Sequence, residues 1–295
     1  MDEEHPSSSD DSPAETAGTS IAPLSGWQRV ALVLILLSAF ACRVAGLGLV
    51  PPPLFRDEAE KGYNAWSLAR TGRDYQGNRL PLFINAFGTH TSAVYQYATA
   101  PFVKFFGLSV VTTRMTAAIV GTLTVLVVFL ASRAMCNNLT ALLAAALLAI
   151  SPWHLHFSRW AQQGIFMPLL FALAVWGTWR FRQGRWWGLP VAAAAFGLSA
   201  YAYAVGRILA PLFLLILVVV FRRELREDVK STALSAVVLA VLVAPALFFT
   251  LTQSEAAMAR FRAISIVQPG AGPQEIAGQF LINYAKHFDP RYLVL

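Results

Sequence analysis

The sequence predicts an all-α protein that crosses a membrane about seven times, with a long first outer loop that carries interfacial helices. Of its 295 residues, 56% are hydrophobic and 13% are charged, whereas soluble domains carry about 25% charged residues. Uncharged runs recur at the length of a membrane helix, about 20 residues. Six of the 16 acidic residues fall in residues 1–15, which leaves a strongly basic body. A basic body suits an anionic partner such as a lipid headgroup or a phosphate-bearing substrate.

Seven uncharged runs are the candidate membrane spans. The stretch 186–221 is broken only by Arg207, so it predicts a tight helical hairpin that turns near Gly206 and Arg207. Pro152 is expected to end or kink the third span, because proline cannot continue the helical hydrogen-bond ladder. The runs lie at 30–42 (extending to Val50 if Arg43 is tolerated), 115–132, 134–158, 160–179, 186–206, 208–221 and 231–254.

The first outer loop, about residues 51–111, holds an eighth apolar run that reads as interfacial or re-entrant. This run, Leu80 to Val103, is interrupted by several polar residues and by Pro81 and Pro101, which suit non-spanning backbone. Earlier in the loop, Asp57 can cap a helix that runs to about Gly72 and lies along the membrane surface.

The charge of the loops predicts the orientation. Residues 1–25 read as a disordered acidic cytoplasmic tail, residues 26–254 as the transmembrane domain, and residues 255–295 as an extracytoplasmic segment. Two basic residues, Arg159 and Arg207, fall in the outer turns, and eight fall in the inner loops, which places the N-terminus in the cytoplasm of a cell (inner) membrane. Those eight are Arg133, Arg180, Arg182, Arg185, Arg222, Arg223, Arg226 and Lys230. Nucleic acid is not an expected partner, because the basic residues are separated by long apolar runs.

Carboxylates are scarce in the body of the chain. Ahead of Glu224 the only ones are Asp57, Glu58, Glu60 and Asp74, all in the first outer loop. Such a concentration in one water-accessible loop makes these four carboxylates the candidates for a catalytic base. The alternative is structural: Asp57 is then only a helix cap, and Glu58 forms a solvated pair with Lys61.

Basic residues at the outer ends of the spans are candidates for binding a phosphate. Arg159 and Arg207 emerge on the same outer face, where a guanidinium group can bind phosphate or anchor a lipid headgroup. Arg43 lies within a span, close enough to the outer interface to reach it by snorkelling. His154 and His156 are expected to project at the membrane surface.

No resident metal or cofactor is expected. Two histidines two residues apart with no carboxylate nearby make a poor metal site, and the first outer loop has no Asp-x-Asp motif. Glu58, Glu60 and Asp74 could contribute to a weak divalent-cation site.

Several short motifs, taken in order, resemble those of a known family. They are Arg56-Asp57-Glu58-Ala59, Tyr63-Asn64-Ala65, Thr71-Gly72-Arg73-Asp74, Pro81-Leu82, Tyr95-x-Tyr97, Phe106-Gly107, Arg114 and the segment Ser151 to Arg159. In this layout residues 27–295 resemble the N-terminal half of a polyprenyl-phosphate-sugar glycosyltransferase of the protein mannosyltransferase-like family (glycosyltransferase family 39, C superfamily).

The resemblance implies an inverting enzyme that moves a sugar from a polyprenyl-phosphate-linked donor to a hydroxyl acceptor on protein, lipid or glycan, at the extracytoplasmic face. It implies that Asp57 is the general base and that Glu58 supports it. The residues expected to bind substrate are Arg43, Arg56, Tyr63, Asp74, His90, His154, His156, Arg159, Tyr203 and Arg207.

Two other functions stay open from the sequence. Intramembrane charge and proline-broken helices are natural in a secondary transporter, although no candidate span has an interior Asp or Glu for ion coupling. Relatives of the resembled family usually have eleven or more spans, so a chain of about seven is also expected to be a fragment, and an inactive truncated protein or scaffold is a further alternative.

Overall fold

The computed structural model describes residues 22–52, 54–203, 205–255, 265–267 and 270–289. Residues 1–21 of the predicted acidic tail lie outside this part of the chain. So do residues 256–264 and 290–295 of the predicted extracytoplasmic segment.

The described chain is helical apart from one short antiparallel hairpin. Its strands are β1 (Phe83–Ala86) and β2 (Thr89–Ser92), with Asn85 paired with His90 across the ladder. The helices are α1 (Gly26–Val44), α2 (Arg56–Thr71), α3 (Val94–Phe106), α4 (Val110–Met135), α5 (Asn138–Ile150), α6 (Pro152–Phe157), α7 (Phe166–Arg182, preceded by a 3₁₀ turn at Gln163–Ile165), α8 (Gly188–Ala202), α9 (Gly206–Val220), α10 (Arg222–Glu227), α11 (Val229–Thr252) and α12 (Pro273–Lys286).

Each of the seven predicted runs overlaps one apolar helix of the structure. Four helical segments of the described residues are long and apolar enough to cross a membrane: α1, α4, α11, and α7 together with its 3₁₀ turn. Helices α5, α8 and α9 are apolar but have only 13 to 15 residues. The structure therefore supports a helical membrane protein, and the number of seven spans stays a prediction.

Proline and glycine mark the helix ends that were expected from the sequence. Helix α5 ends at Ile150, and Pro152 is the first residue of α6, where a missing N–H costs nothing. Helix α8 ends at Ala202 and α9 begins at Gly206, so the chain breaks beside the predicted turn, while the hairpin of two spans stays a prediction.

The run from Leu80 to Val103 is not one helix. It contains the β hairpin and most of α3, so the first outer loop carries a hairpin as well as helices. That the run is interfacial or re-entrant stays a prediction. The paired strands satisfy the backbone groups of this polar stretch, which a loop could not do away from water.

Helix α2 follows the sequence prediction at its end but not at its start. Gly72 is the C-cap, with a left-handed φ of 65°, as expected for a glycine in that position. The N-cap is Phe55 rather than Asp57, so the prediction that Asp57 caps the helix is wrong. Glu58 takes over the capping hydrogen bond: its carboxylate accepts the Phe55 N–H at 3.2 Å, the role of the third helical residue in a capping box.

The predicted inner loops meet at one end of the bundle, here called the basic end. It comprises the start of α1, the α4–α5 and α7–α8 turns, and α10 with the start of α11. Three side-chain bonds to backbone carbonyls join these parts: Arg133 to Ala22, Gln183 to Ala134, and Ser231 to Trp186. All eight basic residues assigned to the inner loops lie in these turns and helix ends.

The opposite end, here called the site end, collects the first outer loop and the outer turns. It comprises the end of α1, helices α2 and α6, the β hairpin, the α8–α9 turn and the end of α11. Arg159, just after α6, bonds to the carbonyl of Ala45 at the end of α1. Phe83 of the hairpin stacks on Tyr201 of α8 and on Phe249 of α11.

A tyrosine hydroxyl is inserted into the backbone ladder of α11. The Tyr201 hydroxyl donates to the Leu242 carbonyl at 2.7 Å and accepts the Ala246 N–H at 3.1 Å. In a regular helix those two groups bond directly to each other. Pro245 has no N–H and already interrupts the ladder here, so the hydroxyl satisfies a break in the helix.

Tyr201→Phe is expected to destabilise the protein by about 1–3 kcal/mol, because it removes the partner of two backbone groups at the break in α11. The measurement is thermal unfolding of the detergent-solubilised chain. Tyr284→Phe is the control, since Tyr284 of α12 is 57% exposed. Equal stabilities for wild type and Tyr201→Phe would contradict the bridging role.

Candidate functional site

The two catalytic candidates are neighbours in the first turn of α2, but their side chains have opposite environments. The Asp57 side chain is 39% exposed, while that of Glu58 is 1% exposed. Asp57 Oδ1 lies 3.7 Å from Arg56 Nε. The unpaired N–H groups of a helix N-terminus favour a carboxylate in this position. Asp57 is therefore held at an accessible point of the site end.

Glu58 forms a buried ion pair with Arg114 of α4. Arg114 Nε and Nη2 donate to the two carboxylate oxygens at 2.8 Å each, and Arg114 is fully buried. The Ala161 N–H donates to Glu58 Oε1 at 2.9 Å. The alternative of a solvated pair with Lys61 is wrong, because a buried carboxylate gains more from a bidentate guanidinium partner than from a single ammonium group.

The environment of Glu58 keeps it ionised. Burial by itself would raise its pKa, but hydrogen bonds from Arg114 and from the Ala161 and Phe55 N–H groups together hold the pKa below the usual range. A carboxylate with all these donors is a structural anchor for α2 and is not available to accept a further proton.

The other carboxylates of the first outer loop are also engaged. Glu60 accepts a 2.6 Å hydrogen bond from Asn64, and burial raises its pKa. Asp74 is 3% exposed and accepts bonds from the Gln76 and Asn78 N–H groups and from the Asn78 side chain. Asp74 therefore closes the turn after α2, and Asp57 is the accessible acid of this loop.

Lys61 lies on the buried face of α2, one turn after Asp57. It is 4% exposed, and its ammonium group donates to the Asp57 carbonyl at 3.2 Å. Burial lowers the pKa of Lys61. Tyr63 lies on the exposed face of the same helix, stacked on Trp66 at 5.7 Å between ring centroids.

The β hairpin brings Arg207 and His90 to one aromatic cluster. The Arg207 guanidinium lies over the Phe83 ring at 5.3 Å, and Phe83 stacks on Phe249 at 4.2 Å. The His90 ring lies 5.6 Å from the Phe249 ring. At the hairpin tip, the Arg56 guanidinium lies 4.4 Å from the Phe87 ring. The hairpin thus contacts Arg56, the neighbour of Asp57, through Phe87 and contacts Arg207 through Phe83.

Three polar atoms of this hairpin are buried without a protein partner. They are Asn85 Oδ1, His90 Nδ1 and Thr91 Oγ1. A buried polar atom with no hydrogen bond costs about 1–3 kcal/mol. Such atoms beside an accessible arginine suit a polar ligand or ordered water.

Arg43, His154 and Arg159 form a separate group at the end of α1. Arg43 is fully buried and bonds to His154 Nδ1 at 2.9 Å. The predictions that Arg43 snorkels to the interface and that His154 projects at the surface are therefore wrong. Arg43 also bonds to the Ala149 carbonyl, which α5 leaves unsatisfied at its end. His156 is exposed, as expected. Arg159 donates to three backbone carbonyls of the α1 end.

The site end shows no clustered metal-ligand set in the described part of the chain, where no three His, Cys, Asp or Glu residues come together. Of the three carboxylates considered for a weak cation site, Glu58 is paired with Arg114, Glu60 with Asn64 and Asp74 with its own turn. Tyr203 follows α8 and is 39% exposed.

The family model described as dolichyl-phosphate-mannose-protein mannosyltransferase matches residues 90–249, more than half of the chain. The chain belongs to this mannosyltransferase family. The family expected from the sequence motifs is thus confirmed. The match includes His90, Arg114, Arg159 and Arg207, and it begins after Asp57. No curated protein matches the chain.

A solved structure of the archaeal oligosaccharyltransferase AglB from Archaeoglobus fulgidus, in complex with an inhibitory peptide and a dolichol-phosphate, is similar to the mannosyltransferase-family chain. The TM-score is 0.53 at 16% sequence identity, over 91% of this chain and 37% of AglB. The chain thus spans little more than a third of the length of AglB, and the likeness is one of fold.

Arg114 is the main residue of the site that sequence reasoning missed among the mannosyltransferase-family motifs. It was assigned no role, because the second span was expected to begin at residue 115, just beyond it. The sequence did carry a signal, since Arg114 directly precedes the uncharged run 115–132. The structure starts α4 at Val110, so Arg114 lies inside an apolar helix, where a charge needs a partner. Phe83 and Phe87 carried no comparable signal, since their contacts come from distant parts of the chain.

Glu58→Gln is expected to destabilise the chain by about 3–5 kcal/mol, because it leaves the Arg114 charge buried without a counter-ion. Replacing both partners, with Glu58→Gln and Arg114→Met, is expected to cost less than Glu58→Gln alone. The measurement is unfolding of the solubilised variants by heat. A single variant that is more stable than the double variant would contradict the ion pair as the anchor of α2.

Proposed function

We propose that the chain is a multi-pass glycosyltransferase of the cell (inner) membrane. It transfers a sugar from a polyprenyl-phosphate donor to a hydroxyl acceptor at the extracytoplasmic face, with inversion and with Asp57 as the general base. Membership of the mannosyltransferase family supports the class of reaction. The AglB structure, which holds a dolichol-phosphate and a peptide, supports a lipid-linked donor and a protein acceptor.

The observation that carries the proposal is the different environment of two adjacent carboxylates. Glu58 is buried and paired with Arg114, which fixes the start of α2 in space. Asp57, the preceding residue, is left accessible at that fixed point. A general base needs both properties, because it must reach the acceptor hydroxyl and hold its orientation during proton transfer.

The same arrangement favours a single displacement. The acceptor oxygen attacks the anomeric carbon, the bond from that carbon to the donor phosphate breaks, and the hydroxyl proton passes to Asp57. A double displacement would need a nucleophile as well as a base, yet Glu58, Glu60 and Asp74 are all engaged. Asp57, whose side chain is 39% exposed, is left as the acid for proton transfer, which favours inversion.

Arg207 and His90 are the proposed contacts of the donor phosphate. A phosphate leaving group needs its charge stabilised more than it needs a proton. The Arg207 guanidinium lies over the Phe83 ring at 5.3 Å, and His90 on the same cluster has a buried ring nitrogen without a protein partner. Phe249, which is partly exposed and stacks on the buried Phe83, offers an apolar surface beside these polar groups for the lipid that carries the phosphate.

The ends of the bundle support the extracytoplasmic assignment of the site. The eight basic residues of the predicted inner loops lie at the basic end, and the bias of Lys and Arg places such an end in the cytoplasm. Asp57, Arg207 and the hairpin lie at the opposite end.

Asp57→Asn is expected to lower sugar transfer at least about 100-fold, because general-base catalysis contributes about 10²–10⁴-fold. The assay uses the purified chain in liposomes, polyprenyl-phosphate [³H]mannose and a Ser/Thr-rich peptide, with radioactivity counted in the peptide. Glu224→Gln, at the basic end, is the charge-loss control and should keep full activity. Near-normal transfer by Asp57→Asn would refute the assignment of Asp57 as the general base. No transfer by wild type would refute the proposed glycosyl transfer.

A thiol-labelling experiment tests the orientation. Gln76→Cys, placed in a chain with Cys42→Ser and Cys136→Ser, puts one thiol in the exposed turn after α2 at the site end. A membrane-impermeant maleimide should label it in intact cells. A chain with only Cys42→Ser keeps the exposed Cys136 of the α4–α5 turn, which should react only after permeabilisation. The reverse labelling pattern would contradict the proposed orientation and indicate that the site end faces the cytoplasm.

A further inference from the structure

The segment that links α1 to α2 is held almost entirely by arginine side chains. Six backbone carbonyls between Cys42 and Pro52 accept hydrogen bonds from two guanidinium groups. Arg159 binds the carbonyls of Cys42, Ala45 and Val50 at 2.6, 2.7 and 2.8 Å, and Arg114 binds those of Leu47, Pro51 and Pro52 at 3.1, 2.9 and 3.0 Å.

The need for these donors follows from the sequence of the segment. A helix leaves its last carbonyls without partners in the helix, and the prolines that follow α1 supply no N–H groups. Local turns satisfy only part of the need: the Leu47 N–H bonds to the Val44 carbonyl, and the Val50 N–H to Gly46. Where a membrane limits access to water, the remaining carbonyls require side-chain donors.

The contacts run in both directions between α1 and the α5–α6 break. Arg43 from α1 binds the Ala149 carbonyl at the end of α5 and the ring of His154 in α6. Arg159, just after α6, binds the end of α1 in return. The arginine clasp, here the side chains of Arg43, Arg114 and Arg159, therefore ties α1, α4 and the α5–α6 break to one another.

The clasp ends next to Asp57. Arg114 binds Pro51 and Pro52 on one side of that residue and Glu58 on the other. Arg159 fixes Val50, seven residues ahead of Asp57, and thereby the start of the connection that Arg114 continues. Arg159 directs both Nη atoms at backbone carbonyls of this connection.

We infer that Arg159 is a positioning residue for Asp57 and does not bind the donor phosphate. It holds the end of α1 and the following connection, so that α2 starts in the place the reaction needs. The catalytic part of this inference rests on the proposed function. A misplacement of about 1 Å in a reacting group can cost about 100-fold in rate.

The test compares Arg159→Gln and Arg159→Lys with Arg182→Gln, an exposed arginine at the basic end. Amide hydrogen exchange is followed by mass spectrometry on peptides from residues 42–60, and transfer from polyprenyl-phosphate [³H]mannose is measured as kcat and donor KM. Arg159→Gln should speed exchange in residues 42–60 but not in α7 and α8, and should lower kcat about 100-fold at an unchanged donor KM. Arg159→Lys should fall between Arg159→Gln and wild type, and Arg182→Gln should match wild type.

The two readouts separate the inference from the function on which it rests. A raised donor KM with unchanged exchange in residues 42–60 would assign Arg159 to substrate and overturn the inference. Faster exchange with normal kcat would overturn its catalytic part. If wild type transfers no sugar, the proposed function fails, while the exchange data still support or refute the clasp. If Arg159→Gln does not fold, the same comparisons are made with Arg159→Lys.

Discussion

The buried pair of Glu58 and Arg114 is the constraint on which the site end depends. Two charges with almost no exposure must satisfy each other, because neither can be left without a partner away from water. The guanidinium belongs to a membrane helix and the carboxylate to a loop helix, so the pair attaches the first outer loop to the bundle. Arg114 also reaches the connection that precedes α2. The position of Asp57 depends on this attachment, to which Arg159 adds the hold on Val50.

The scarcity of acidic residues gives each of them a separate task. Glu58 anchors a helix, Glu60 accepts from Asn64, and Asp74 closes a turn. Asp57 keeps a side chain that is 39% exposed. The arginines differ in a similar way. Arg43, Arg114 and Arg159 each donate to two or three backbone carbonyls. Arg207 donates its Nε to the Ala200 carbonyl and lies over an aromatic ring beside a partly unsatisfied hairpin. A basic composition by itself does not distinguish these two uses.

Much of the fold could be predicted from the sequence, because membrane helices depend on local composition. The apolar runs, the break at Pro152 and the end of α2 at Gly72 each follow from a few adjacent residues. The site could be predicted only in part. The partner of Glu58 lies 56 residues away, and that of Arg43 lies 111 residues away. Such pairs depend on how helices pack, which no spacing of residues along the chain reveals.

The hydroxyl of Tyr201 has a mechanical consequence for the site end. Because it bonds on both sides of the break in α11, the outer turns of α11 are fastened to the last turn of α8. Phe249 lies on those outer turns and Phe83 lies against both helices, so the hairpin rests on a single rigid support. A displacement of α8 is thereby transmitted to the hairpin and, through its tip at Phe87, to Arg56 beside Asp57.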